Sequence, residues 1–273
     1  MKAIRRQVSG VRSGLWSLAL LCAWVPSAAS AQGFAALVSP PRFELSAKPG
    51  DKLREVVEIT NAGAQGARYR FKTAEWKLDD NAAASFDETL APGSCRPWVA
   101  VEARQISVSP GGKYRYRFEV AVPADAPPGQ CRFAILIEGD EQQVQAQGGA
   151  TFPISGRLGV IVYVTIAGAE ADLSVVGTKV ATVNGEPMPV ILVKNAGNAH
   201  GRLAGFLKGK DASGKELEFT ASTLPILPGE TRSISLVPYG EGDQVVKVAY
   251  PITIRGKLEW GKKSMPFEQT FAK

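Results

Sequence analysis

The chain has 273 residues, of which 45% are hydrophobic and 21% are charged, with 28 glycines, 18 prolines, three cysteines and one histidine. This composition excludes a disordered tail, a collagen-like chain and a polytopic membrane protein, and the length suits two domains. A single histidine and three cysteines leave little material for metal or nucleophilic chemistry. We therefore expect a protein that is not an enzyme and that needs no cofactor and no metal.

Residues 1–31 have the organisation of a secretion signal. Four basic residues accompany an apolar run from Gly14 to Val25, and Ala29-Ser30-Ala31 offers a small-x-small cleavage site. The apolar run of about twelve residues is too short to span a bilayer as a helix. We expect a cleaved signal peptide, export and no transmembrane segment in the mature chain.

Removal of this leader changes the charge of the chain. The formal net charge of +6 includes four basic and no acidic residues from the leader, so the mature chain has 28 basic and 26 acidic side chains and a charge of +2. A repeated Arg-Tyr-Arg-Phe at 68–71 and 115–118 would place arginines on one side of a strand and aromatic rings on the other. We expect Arg68 and Arg70 to pair with acidic neighbours, and no nucleic-acid partner.

In the first half of the mature chain, apolar residues recur with period two. In the segment 113–122, Tyr114, Tyr116 and Phe118 are in phase, and Pro-Gly turns separate such segments. No amphipathic helical stretch interrupts them. Short alternating segments between turns predict half-buried strands of a β-sandwich.

The pattern then restarts after a small-residue junction at 167–171, which follows the apolar run Leu158–Ile166. Seven strand candidates occupy about 105 residues, the number expected of an immunoglobulin-like domain. We predict an all-β chain of two immunoglobulin-like sandwich domains in tandem, 32–167 and 168–273. The candidates are Leu173–Val176, Val190–Lys194, Leu203–Lys208, Leu217–Thr220, Ser233–Val237, Val246–Arg255 and Met265–Phe271.

Two cysteines, Cys95 and Cys131, remain after the leader is removed. In an oxidising compartment they predict one disulfide. Closing a loop of about 37 residues would stabilise the fold by roughly 4 kcal/mol. Two free thiols that never meet are the alternative.

The single histidine, His200, follows Asn195-Ala196-Gly197-Asn198 on a predicted turn. No cysteine or carboxylate cluster accompanies it in the sequence, so it does not indicate a metal site. We expect a solvated loop histidine.

Several segments of the first half, taken in order, resemble the N-terminal domain of periplasmic pilus-assembly chaperones of the chaperone–usher type. The resemblance covers most of residues 35–166, and in the second half Leu227–Arg232 is the best local match. The segments are Val38–Phe43, Val57–Asn61, Ile106–Val108, Pro123–Gly129 with the following Cys131–Ile135, and Val160–Ile166.

The resemblance implies a mechanism without a covalent step. A chaperone of this family completes a pilus subunit that lacks its last strand by adding a strand of its own, and basic residues in the cleft between the two domains anchor the subunit's terminal carboxylate. It implies a location in the periplasm, with pilus or fimbrial subunits and an outer-membrane usher as partners. A secreted tandem immunoglobulin-like module that binds carbohydrate or another surface ligand is the alternative function.

The resemblance also implies site residues. Arg42 falls where the family has a cleft arginine, and a guanidinium can donate two parallel hydrogen bonds to a carboxylate. The family's second basic position holds Gly159, and Arg157, two residues earlier on the same face, is the candidate replacement. For each arginine, a solvated strand residue is the alternative.

The donor strand in this register contains Ala150, Phe152 and Ile154, which alternate along the segment before Arg157. Pro153 cannot donate a ladder hydrogen bond, so the strand is expected at a sheet edge. The alternative is that Phe152 and Ile154 pack on the core of their own domain.

Overall fold

The computed structural model describes residues 34–79, 82–145, 149–239 and 246–273. These residues form nineteen strands and one turn of 3-10 helix, Arg96–Trp98, so the prediction of an all-β chain is confirmed. None of the described helical structure is long and apolar enough to cross a membrane. The predicted signal peptide, residues 1–31, lies outside the described residues.

Twelve of the strands precede residue 167, and their bounds follow the alternating segments of the sequence. They are β1 Ala36–Ser39, β2 Arg42–Ala47, β3 Lys52–Asn61, β4 Ala67–Leu78, β5 Ala84–Asp87, β6 Val99–Val101, β7 Gln105–Val108, β8 Lys113–Ala121, β9 Gly129–Gly139, β10 Gln142–Gln145, β11 Thr151–Ile154 and β12 Arg157–Ile166.

These strands build a first sandwich from two sheets. One sheet has the order β1-β3-β8-β6, and the other has the order β2-β12-β9-β4-β5 with β7 also paired to β4. Alternate side chains of both sheets meet in one apolar core, where Phe43 contacts Phe118 edge-on and Phe71 stacks on Tyr116. The period-two pattern therefore predicted this half correctly, because one face of each strand is buried and the other is not.

The outward face of the β2-β12-β9-β4-β5 sheet is the surface that positions the candidate site. On β12 it carries the odd-numbered residues from Arg157 to Thr165, and on β2 it carries Arg42 and Glu44. Its middle is apolar, because Trp76 and Tyr163 pack edge to face there.

The chain leaves the first sandwich at Ala167 and Gly168, where both residues have positive φ values of 35° and 77°. Seven strands then form one continuous ladder in the order β13-β14-β17-β16-β15-β18-β19 around a second apolar core. Their bounds are β13 Leu173–Val183, β14 Glu186–Asn195, β15 Leu207–Lys210, β16 Glu216–Ala221, β17 Thr231–Tyr239, β18 Ile252–Trp260 and β19 Lys263–Phe271.

The ladder folds into a second sandwich because β17 pairs with β14 through its first half and with β16 through its second half. Within the described residues 168–239 and 246–273, the predicted count of seven strands is confirmed. Several predicted bounds are wrong, since β13 ends at Val183 rather than Val176, β15 begins at Leu207 rather than Leu203 and β18 begins at Ile252 rather than Val246. Before Leu207, Gly201 and Ala204 form isolated bridges to different partners, so that stretch joins no ladder.

A segment of residues 82–98, which we call the covering segment, lies over part of the outward face. Its Arg96 donates to the carbonyl oxygen of Thr73 at 2.6 Å and to that of Glu88 at 3.0 Å. At its end, Cys95 and Cys131 form a disulfide with a Cα–Cα distance of 5.9 Å. The predicted pairing thus fastens the covering segment to β9.

Strands β10 and β11 form a hairpin that continues the β9/β12 ribbon. The β9/β12 register ends at the pair Glu138 and Arg157, and the β10/β11 register resumes with Gln142 opposite Ile154. Among the described strands, β10 and β11 pair with each other and with no other strand.

Candidate partner-binding site

The predicted donor strand is strand β11. Phe152 and Ile154 lie in it with 54% and 50% of their surface exposed, so they do not pack in the core of their own sandwich. Pro153 lies between them, and β11 is paired along one side in the described chain. Ala150 is exposed and precedes the strand, which begins at Thr151. The strand therefore presents two large apolar side chains to solvent.

Arg42 lies at the start of β2, opposite Ile161 of β12, and its side chain is about half exposed. Its Nε is 2.8 Å from Oε1 of Glu44, two residues along on the same face. Because Glu44 points toward the second sandwich, the same carboxylate also meets groups from the loop before β15.

His200 is one of these groups, and the expectation of a solvated loop histidine is wrong. Its side chain is 8% exposed and stacks on Tyr163 with ring centroids 3.9 Å apart. Its backbone N–H and its Nδ1–H both donate to Oε1 of Gln130 at 2.9 Å. The turn was correctly located, but the first sandwich covers it.

Burial lowers the pKa of His200 to about 4, and the neighbouring Arg202 and Arg42 act in the same direction. Glu44, whose Oε1 is 3.7 Å from Nε2, opposes this shift but does not cancel it. The imidazole is therefore neutral at pH 7, with its proton on Nδ1.

Arg202 brings a second guanidinium to the same carboxylate. Its Nε is 3.7 Å from Oε1 of Glu44, and its Nη1 donates to the carbonyl oxygen of Thr223 at 2.6 Å. The Nε–H is buried and donates no hydrogen bond within the described residues. The side chain is 22% exposed, and burial lowers its pKa from the usual value.

Arg157 lies at the other end of the same face and does not meet Arg42. It is four positions from Ile161, the β12 partner of Arg42, which corresponds to about 13 Å along the strand. Its Nη2 is 2.6 Å from Oε1 of Glu138 and 3.8 Å from Oε1 of Glu88. Its charge is thus matched by two carboxylates.

The structure gives a reason for the glycine between these two ends. A Cβ at Gly159 would overlap the ring of Phe86, which belongs to the covering segment. A longer side chain at position 159 would have to displace that ring. The covering segment therefore occupies the space in which a basic side chain at this position would lie.

Other contacts hold the two sandwiches together around the site. Arg232 of β17 is 4% exposed, and it donates to the carbonyl oxygens of Asp79 at 2.8 Å and Leu78 at 2.9 Å, at the end of β4. Leu227 joins the apolar cluster of the outward face. Because these contacts bury side chains of the second sandwich against the first, they favour a fixed geometry of the cleft between the two sandwiches.

The cleft between the sandwiches has a volume of about 580 Å³. Its wall includes Glu44, Arg202 and Trp260, together with Lys262 and Lys263. Arg202 from this wall and Arg42 from β2 share the carboxylate of Glu44, so the charge around Glu44 is positive when His200 is neutral. Such an arrangement can bind a carboxylate through charge-assisted hydrogen bonds.

Sequence reasoning missed Glu44, Tyr163 and Arg202. The alternation Arg42-x-Glu44 places both charges on one face, and Tyr163 is in phase with Arg157 on β12, so two of the three positions had a visible signal. Arg202 had none, since it reaches the site from the other sandwich.

No family model and no curated protein matches the sequence. Solved structures with a similar fold include the YadV chaperone, with 10% identity, a TM-score of 0.46 and coverage of 86% of this chain and 99% of that chain. They also include the CsuC–CsuE chaperone–tip adhesion subunit complex of Csu pili from Acinetobacter baumannii, with 15% identity, a TM-score of 0.45 and coverage of 87% and 99%. The CupB2 chaperone of Pseudomonas aeruginosa has 10% identity, a TM-score of 0.44 and coverage of 86% and 100%.

Proposed function

We propose that the protein is a periplasmic chaperone that binds pilus or fimbrial subunits by adding strand β11 to a subunit that lacks its own last strand. The observation that carries this proposal is the exposure of Phe152 and Ile154 on a strand paired along one side. An exposed apolar edge strand invites pairing with another chain, and strand addition uses that property. We further propose that residues 1–31 direct export to the periplasm and are cleaved off after residue 31. An outer-membrane usher is proposed as a second partner.

The alternation of β11 suits a groove in the partner. Phe152 and Ile154 lie on one side of the strand, so both would enter the same groove while the main chain pairs with the open sheet edge. Since each is about half exposed, burial in the partner would contribute roughly 1 kcal/mol per side chain. Pro153 removes one donor, so the pairing relies on the remaining groups of the strand.

Arg42 and Arg202 are proposed to bind the terminal carboxylate of the subunit. Both guanidiniums contact Glu44, and the buried Nε–H of Arg202 would gain an acceptor from such a ligand. Arg157 stays a sequence-based prediction for this role, although its two carboxylate partners leave it little net charge to offer.

Co-expression with a pilus subunit encoded by a neighbouring gene tests the strand addition. The wild-type chain should give a soluble complex, and Phe152→Ser combined with Ile154→Ser should reduce its yield by at least about tenfold. Val176→Ser is the matched control, because Val176 is equally exposed on β13 of the second sandwich. A complex that tolerates the double substitution would overturn the strand-addition mechanism and favour another mode of binding.

The same complex tests the carboxylate site. Arg42→Ala and Arg202→Ala should each weaken the complex, whereas Arg157→Ala should leave it unchanged. A subunit whose terminal carboxylate is amidated should bind the wild-type chain and the two sensitive variants equally weakly. If Arg157→Ala weakens the complex and Arg202→Ala does not, Arg157 is the second anchor, as the sequence predicts, and the role given to Arg202 is wrong.

A further inference from the structure

Phe34 lies where the β9/β12 ribbon passes into the β10/β11 hairpin. Gly139 is the last residue of β9 and Gly156 precedes β12, and the Gly139 N–H donates to the Gly156 carbonyl oxygen at 3.1 Å. A Cβ at Gly139 would be 2.6 Å from Cδ2 of Phe34, and a Cβ at Gly156 would overlap its Cβ. The Phe34 side chain thus occupies the space left by two facing glycines.

The first sandwich holds Phe34 from the other side. Its ring meets the buried ring of Tyr69 edge-on, with centroids 6.0 Å apart and an interplanar angle of 88°. The following residue, Ala35, accepts a hydrogen bond from the N–H of Ala62 at 2.7 Å. Phe34 therefore connects the core of the sandwich to the base of the hairpin.

The hairpin needs such a connection because its strands pair only with each other in the described chain. An isolated two-stranded ribbon is marginally stable in water, and glycines at its base add backbone freedom. Asp140 adds ion pairs at the base, since it is 3.2 Å from Nη1 of Arg70 and 3.4 Å from Nε of Arg68. These ion pairs are exposed, so they contribute little.

We propose that Phe34 is a positioning residue that fixes the direction in which the β10/β11 hairpin leaves the first sandwich. The inference rests on the proposed function, since it makes the presentation of β11 to a partner depend on a residue outside the hairpin. Phe34 lies three positions after the proposed cleavage site, so a residue at the start of the mature chain would set the direction of the hairpin.

Hydrogen exchange of the mature chain tests the proposal without any partner. In Phe34→Ala, the amides of residues 151–156 should exchange at least about tenfold faster, while those of β12 from Val162 to Ile166 keep their protection. Phe34→Tyr should restore the wild-type rates. Phe206→Ala is the control, because Phe206 is 83% exposed in the second sandwich and should alter neither region.

If Phe34→Ala fails to fold, Gly156→Ala provides the second variant, because its methyl group displaces the ring and retains Phe34. Unchanged exchange at 151–156 in the folded variants would overturn the positioning role, whatever the partner does. Faster exchange without a loss of the soluble subunit complex would overturn its link to binding. Failure of the wild-type chain to form that complex would instead reject the proposed function and leave the exchange result standing.

Discussion

The two ends of the outward face of the first sandwich carry the same kind of residue in opposite situations. At one end, Arg157 is about half exposed and lies between Glu138 and Glu88. At the other end, Arg42, Arg202 and His200 meet the single carboxylate of Glu44. At the first end the charges are balanced and the arginine is about half exposed. At the second end positive charge is in excess, and Arg202 and His200 are largely buried. Residue type therefore does not identify a carboxylate site, because the number of competing acids and the burial decide it.

Removal of the disulfide should have the largest effect and should act on the balanced end. Cys95→Ser with Cys131→Ser should lower the free energy of unfolding by roughly 4 kcal/mol, because the unfolded chain regains the entropy of the loop closed between two cysteines 36 positions apart. Urea unfolding checks this value. Hydrogen exchange should increase in the covering segment, which holds Glu88 beside Arg157, more than around His200.

Reduction of the wild-type disulfide is the control for the serine variant, and both should unfold at the same urea concentration. A loss below about 1 kcal/mol would mean that Arg96 and Phe86 hold the covering segment without the covalent bond.

Acidification should destabilise the protein at the other end of the outward face, through His200. The folded-state pKa of His200 is about 4 and its ordinary value is 6.5, so between these values the unfolded chain binds more protons and folding weakens as the pH falls. Full stability is present above pH 6.5. We expect a loss of about 2 kcal/mol between pH 7 and pH 5, measured by urea unfolding.

The assignment is clear because His200 is the only histidine of the chain. His200→Phe retains a ring against Tyr163 and should remove the pH dependence in that range. A slope that persists in this variant would show that another group with a shifted pKa is responsible.

Loss of the Arg202 guanidinium should lower the free energy of unfolding by less than acidification does. Arg202→Ala removes the hydrogen bond to Thr223 and the contact with the hydroxyl of Tyr163, 3.4 Å away, and we expect a loss of about 1.5 kcal/mol. Arg202→Lys should recover part of it, because the charge remains. Thermal unfolding followed by calorimetry checks both variants.

The smallest effect is expected at Arg157. Arg157→Ala should change the free energy of unfolding by less than about 1 kcal/mol, since Arg157 is about half exposed and Lys72 remains as a second cation for both Glu88 and Glu138. Urea unfolding at low and high salt checks this, because an exposed pair should lose its small contribution in salt. A loss as large as that of Arg202→Ala would remove the distinction between the two ends.

Much of the fold could be predicted from the sequence because strands leave a local signature. The alternation over 113–122 depends on neighbouring residues, and it located β8, Lys113–Ala121. The position of β11 was also predictable, since Phe152, Pro153 and Ile154 indicate an edge strand on their own. Strand ends were less accurate, as β15 shows, because isolated bridges leave no periodic pattern.

What the sequence alone determined is the strand content, the alternation of faces and the chemistry available on each face. Only the tertiary structure decided which groups meet, because Arg202 and His200 are some forty residues from Tyr163 in the chain and contact it through packing of the two sandwiches. The same holds for Phe86 over Gly159 and for Phe34 at the hairpin base. Burial and proximity change charge, pKa and mobility, and neither property is encoded by the residues taken one at a time.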